Sequence, residues 1–262
     1  MGFGRMIGVA AGLLIVGGIL VSERRRPLRR QTMPALRRNA RNAVLGAGCA
    51  AIVAAVEIPL TQRIAAGNAR GGRGFAQMLP APLRTIGAVL AMDYGFYWWH
   101  VATHKMPFLW RFHRVHHVDP DMDASTAVRF HPVDMIVSLP WRLMQVRLAG
   151  AGPQSLQLWR HFFNASIAFH HSNWHLPAGW DAKLARVLTT PEMHGIHHSC
   201  VKAQRDANYT SGFSFWDRLH GTFRDLPPAR SISIGVREQT TRDDIRIVQA
   251  LGAPMRPVPE QG

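Results

Sequence analysis

Residues 99–117 read WHVATHKMPFLWRFHRVHH. This stretch carries a histidine pair, His100 and His104, and then a triplet, His113, His116 and His117. The same order returns further along the chain. A second pair is His171 and His175, and a second triplet is His194, His197 and His198. Ten of the 14 histidines fall in these four groups. Neutral imidazole is the commonest metal-binding side chain. Ten imidazoles exceed the needs of one ion, so the pattern asks for two.

Helical geometry agrees. Residues three or four apart share a helix face, so each pair can aim at one point. His116 and His117 are sequence neighbours, about 100° apart around a helix. They serve one ion each more readily than one ion together, and so do His197 and His198. The expectation is a dinuclear site with each triplet splayed across both ions. Imidazole suits zinc, copper, iron and nickel. A structural zinc site closes with four ligands, which leaves ten histidines unexplained. A redox-active iron pair fits better. Two other readings compete: a membrane protein that binds or transports metal without catalysis, and a haem protein. Haem needs only one or two histidines per group.

The chain around these groups reads as all-α and membrane-embedded. Residues 6–21 (MIGVAAGLLIVGGILV) carry no charge, close to the length of a bilayer span. Arginines 24, 25, 26, 29, 30, 37, 38 and 41 follow. Charge after the apolar run marks a retained anchor whose C-terminal end faces the cytoplasm. Residues 43–60 return outward, with Glu57 near the far end, and a Gly/Arg/Pro-rich loop is expected over 61–82. Residues 83–101 come back in, and Trp98 and Trp99 suit the membrane boundary. Two weaker apolar runs, 133–149 and 155–170, are interrupted by charges. They are read as a re-entrant hairpin or as two spans packed against protein. This threading puts all four histidine groups on the cytoplasmic side. The net charge of +15 adjoins apolar segments, so orientation and anionic lipid account for it; no nucleic-acid partner is expected. Two cysteines, Cys49 and Cys200, indicate no disulfide framework.

Several segments together resemble the fatty acid hydroxylase / sterol desaturase superfamily of integral membrane di-iron oxygenases. They are DYGFYWWHVATH (93–104), WRFHRVHH (110–117), RFHP (129–132), HHSNWHLP (170–177), HGIHHS (194–199) and NYTSGFSFWDRLHGTF (208–223). The resemblance implies a membrane helical bundle of about four spans with a cytosolic, histidine-rich metal-binding cap. It implies oxygen-dependent hydroxylation or desaturation of a lipid, be it a sterol, sphingolipid, fatty acyl chain or alkyl ether. Electrons would come from a separate carrier protein and reductase. The ten clustered histidines match the family's ligand positions for two iron ions, with zinc able to replace iron in a purified sample and O2 as co-substrate. Val101 stands where some relatives carry arginine. The corresponding division is an anchor over 1–82, a catalytic domain over 83–225 and a polar, peripheral tail over 226–262, in a multi-pass protein of a bacterial inner membrane.

Groups that orient the imidazoles are expected beside them. Asp93, about two turns before His100, is one candidate; a helix–helix hydrogen bond is its alternative. Asp217 is read as pairing with a ligand or with Arg218. Asn208 and Tyr209 are read as supporting the last triplet or capping a turn. His131 is a candidate wall residue or a structural histidine. His161, His170 and His220 are read as structural, and Cys200 as a small buried residue.

Overall fold

The apolar runs of the sequence become helices, and among the described residues only isolated β-bridges form besides them. The computed structural model describes residues 3–225, 232–236 and 246–256, without the side chains of 3–11 and 13. The chain divides into two compact units. One comprises Met1–Asn39, Asp119–Ala127 and His161–Thr240; the other comprises Ala40–Val118, Val128–Arg160 and Thr241–Gly262.

The second unit is built on helices α2 (Ala35–Ile52), α3 (Ile58–Gly71), α4 (Arg84–Lys105) and α5 (Pro107–His117). Pro59 has no N–H for the carbonyl of Ala55, and its ring collides with that carbonyl. The helical ladder therefore widens into a π turn over Val53–Glu57, with Ile58 N–H bonded to Val53 O. The chain then runs on as helix through the first half of the stretch expected to be a loop. It ends only at Gly71, with Gly72 left-handed at φ 58°. Composition suggested a loop, but Thr61, Ala65 and Asn68 are spaced helically and are all buried. Asn68 donates to Val146 O at 2.9 Å and to Ala151 O at 3.2 Å, which fastens α3 to α7 (Leu139–Ala149). Nearby the chain passes through Gly74 (φ 90°) and Gly150 (φ 69°), where a Cβ on Gly74 would stand 2.5 Å from Gly150 Cα. Among the described residues one helical run, Ala35–Met78, is long and apolar enough to cross a membrane.

The run 133–149 is cut by Pro140 into α6 (Pro132–Val137) and α7, and α8 spans Pro153–His171. The charges that weaken these runs as spans meet one another. Arg142 Nη1 lies 2.7 Å from Glu57 Oε2. Arg160 Nη2 lies 3.4 Å from Glu57 Oε1 and 2.6 Å from Thr61 Oγ1. The expected peripheral tail is also partly built into the fold. Helix α13 (Ile247–Gly252) buries Ala250 against Leu45 and Val115. Arg114 donates to the carbonyls of Ala253 and Arg256. The remainder of 226–262, apart from 232–236, lies outside the described residues.

In the first unit α1 covers Phe3–Arg25, and the arginine-rich arm after it is tied down. Asn173 carries much of this. Its carbonyl accepts from Leu28 N, its Oδ1 from Arg29 N, and its Nδ2 donates to Arg29 O. Glu23 Oε2 accepts from Asn173 N and Ala124 N, both at 3.0 Å. Arg38 is buried among Asp119, Asp121 and Asp123. Arg29 and Arg38 therefore hold protein rather than lipid. Short helices α9 (Trp180–Leu184), α10 (Pro191–His197), α11 (Lys202–Arg205) and α12 (Phe215–Leu219) complete the unit.

Candidate metal centre

In the second unit the end of α4 and the length of α5 bring four histidines together. His100, His104, His113 and His117 are all buried, and one ring nitrogen of each lies within 4.8 Å of those of the others. The Nε2 atoms of His113 and His117, one helical turn apart, are 3.2 Å from each other. Pro107 opens α5 directly after the α4 terminus at Met106, so the two helices meet at a sharp corner with their histidine faces inward. Trp110 is buried against the set, its ring 5.0 Å from that of His104 and 5.4 Å from that of His117.

In the first unit α8 and α10 do the same. His171, His194 and His198 are buried with ligand nitrogens within 4.8 Å of one another. His194 Nε2 lies 3.0 Å from His171 Nε2 and 3.2 Å from His198 Nε2. Helix α10 begins cleanly because Thr190 accepts from Met193 N and Pro191 occupies its first position. Burial, then the neighbouring His170, His171, His198 and His197, hold His194 well below the ordinary histidine pKa. This favours the neutral ring, the form that binds a metal.

Three imidazoles have their Nδ1 atoms bonded to main-chain oxygen: His116 with Arg129 O at 3.2 Å, His171 with Ile167 O at 2.8 Å, and His197 with Ala207 O at 2.8 Å. Each such bond puts the proton on Nδ1 and leaves the Nε2 lone pair for a metal. Arg129, fully buried, also donates to Val115 O and to Asn42 Oδ1. The RFHP segment thus serves His116 through the Arg129 carbonyl, which the side chains of the sequence did not signal.

The other singled-out residues have these places. Asp93 is buried on α4, on the His100 side of the helix. Both ring nitrogens of His131 are spent on main chain. Nδ1 accepts from Val133 N, capping α6, and Nε2 donates to Leu251 O, both at 3.1 Å. Burial lowers its pKa. Asp217 is fully buried. It accepts from Tyr209 N, Thr210 N, Thr210 Oγ1 and Thr222 Oγ1, whereas Arg218 donates to Ala185 O. Burial raises the Asp217 pKa against these four bonds. Asn208, left-handed at φ 53°, donates to Met193 O in α10 and to Arg224 O. His175 is half-buried and stays outside the His171 set, with its backbone N–H on Arg26 O. His170 is fully buried with its ring 4.0 Å from that of His194. Its burial had no signal beyond the doubled HH.

The donor sets fit transition-metal ions. A metal–imidazole bond of about 2.0–2.1 Å places ligand nitrogens about 3–3.5 Å apart. The Nε2 separations of 3.0–3.2 Å match this. Facing Nε2 atoms also suit a shared cation better than a hydrogen bond wherever Nδ1 already carries the proton, as in His171.

Comparison with known proteins gives the same direction. A model of the fatty acid hydroxylase family matches residues 85–222, more than half of the chain. The chain is 33% identical over 152 residues to an ornithine lipid hydroxylase of Rhizobium tropici, covering 58% of this chain and 44% of that protein. It is 31% identical over 144 residues to the alkylglycerol monooxygenase of Homo sapiens, covering 55% and 31%. It is 31% identical over 147 residues to the cholesterol 25-hydroxylase of Homo sapiens, covering 54% and 52%. The matches span about a third to a half of these relatives' length. No solved structure matches. The family model covers both histidine pairs and both triplets, and this chain belongs to the fatty acid hydroxylase family.

Proposed function

We propose that this protein is a membrane-bound oxygenase that uses two iron ions and O2 to hydroxylate or desaturate a lipid. The observation that carries the reading is the buried convergence of histidine nitrogens in each unit. His100, His104, His113 and His117 form one ligand set, and His171, His194 and His198 the other. His116 and His197, whose Nδ1 atoms bond main-chain oxygen and so point Nε2 to the ligand role, would add to them. Two ions rather than one are what the splayed neighbours His116/His117 and His197/His198 ask for. Iron would supply the oxidising power that side chains lack.

The protein's own part is to hold the imidazoles in one tautomer, through the carbonyls of Arg129, Ile167 and Ala207, and to keep water from the set under Trp110. Hydroxylation balances as RH + O2 + 2e− + 2H+ giving ROH + H2O. The two electrons would come from a separate carrier protein fed by a reductase. The relatives hydroxylate or oxygenate an ornithine lipid, alkylglycerol and cholesterol by name, which supports a lipid substrate.

In the membrane we propose about four spans, with α1 and the Ala35–Met78 run entering from an arginine-rich cytoplasmic side. The histidines would form a cap on that side, within a catalytic domain over 83–225. The test is purification of the full chain from iron-replete, anaerobically grown cells. We expect about two irons per chain and lipid-dependent O2 uptake, with label from 18O2 in the lipid if the product is an alcohol. A protein without stoichiometric metal would overturn the reading.

A further inference from the structure

A cavity of about 730 Å³ lies wholly in the first unit, between the arm after α1, the turn at Pro120–Met122 and the segment 232–234. Its size falls in the usual range for small-molecule sites. Its walls reach the helix that bears the candidate ligands from two sides. The Arg29 guanidinium lies over Gly195, where a Cβ would collide with it, and donates to Pro191 O. On the other side Ile234 pairs with Ser199, Cys200 N–H bonds to Ser233 O, and Gly235 N–H bonds to His198 O.

The lining is cationic at one edge and apolar at the other. Arg30 supplies the cationic edge beside a single lining carboxylate, Asp121, while the Arg29 guanidinium is turned to α10, within the field of Glu192 and Asp181. Both oxygens of the Asp121 carboxylate are occupied by Thr32 N, Thr32 Oγ1 and Met33 N. Arg30 is exposed and has no ion-pair partner among the described residues. Ile232 and Ile234 supply the apolar edge. The cavity begins two residues after α1, an apolar helix of 23 residues, long enough to cross a bilayer. With α1 spanning the bilayer as proposed above, a pocket placed there would sit at headgroup depth.

We propose that this cavity takes the anionic headgroup, a phosphate or carboxylate, of the lipid that the histidine sets oxidise. A guanidinium binds either group with paired, charge-assisted hydrogen bonds. The apolar edge takes the first carbons of the chain. The inference rests on the lipid-oxygenase reading above and names the class of substrate.

The test is calorimetric titration of the full, iron-loaded chain in neutral detergent with three probes: dihexanoyl phosphatidic acid, dihexanoylglycerol and inorganic phosphate. Phosphatidic acid is expected to bind more tightly than the other two. Arg30→Gln, a change at an exposed position, is expected to weaken it about tenfold and leave dihexanoylglycerol unchanged. Ser233→Trp at the mouth is expected to weaken both lipids. Equal affinity for the two lipids, or no effect of Arg30→Gln, overturns the proposal. Inorganic phosphate binding as tightly as phosphatidic acid would make this a free-phosphate site and overturn it as well. Iron content is measured on the same samples. Two irons without headgroup discrimination sinks only this inference, and discrimination without iron sinks only the catalytic reading.

Discussion

His197 Nδ1 lies 2.8 Å from the carbonyl oxygen of Ala207, and the turn that presents this carbonyl is gripped by Asp217. The carboxylate takes two backbone N–H groups and two hydroxyls from Tyr209, Thr210 and Thr222. A side chain twenty positions away thereby helps fix which nitrogen of His197 carries the proton.

Replacing Asp217 by asparagine keeps the shape but puts an NH2 group against groups that need acceptors. Leaving one buried donor unpaired costs about 1–3 kcal/mol, and loss of ligand orientation lowers metal affinity about 10–100-fold. Thermal melting and bound iron after dialysis against a graded chelator check this. A variant with normal iron retention would show that the turn does not orient His197.

Gly195→Ala places a methyl group where the Arg29 guanidinium lies. Overpacking of this kind costs about 1–3 kcal/mol. Combining it with Arg29→Ala is expected to cost less than the sum of the two single changes. Strict additivity in a double-mutant cycle of denaturant midpoints would mean that the two residues do not touch.

His131 bonds main chain through both nitrogens only while neutral, and burial keeps its folded pKa below the ordinary value of 6.5. The unfolded chain binds the proton more readily. Its contribution is therefore full above about pH 6.5 and is lost as pH falls below that value. His131→Ala is expected to flatten this part of the stability–pH curve, lose about 1 kcal/mol as a missing cap, and keep its iron. Iron loss would place His131 at the metal.

Glu57→Gln leaves Arg142 and Arg160 without their shared carboxylate. Breaking a buried pair costs roughly 3–5 kcal/mol. The partial exposure of both arginines puts this one at the low end. Arg160→Gln, which leaves the Arg142 pair in place, is expected to cost less. Folded yield in detergent and melting midpoints give the order, and the reverse order would remove Glu57 as the centre of the cluster.

His171→Ala and His175→Ala separate two residues of one sequence motif. The first is expected to lose iron and the second to retain it, by metal analysis of each purified variant. Equal losses would bring His175 into the ligand set.

Much of this protein is readable along the chain. The four histidine groups, the helical class and the family all follow from short-range spacing, because residues three and four apart share a helix face whatever the rest of the fold does. The histidines of α4 and α5 in one unit, and those of α10 in the other, are buried for this reason. The stretch 61–71 misled because glycine and arginine dilute its composition. Its helix is held by Asn68 against the carbonyls of Val146 and Ala151, and local propensity carries no information about such partners.

The metal-binding character of this chain was written in its sequence, since imidazole chemistry and helical period are local properties. Long-range packing decided the rest: that His171 joins its set and His175 does not, that Arg129 and Ala207 lend main-chain oxygen to His116 and His197, and that Glu57 meets Arg142 and Arg160. Those contacts join residues from 10 to 103 positions apart. They exist only once burial makes an unpaired polar group costly and the fold brings a partner within hydrogen-bonding reach.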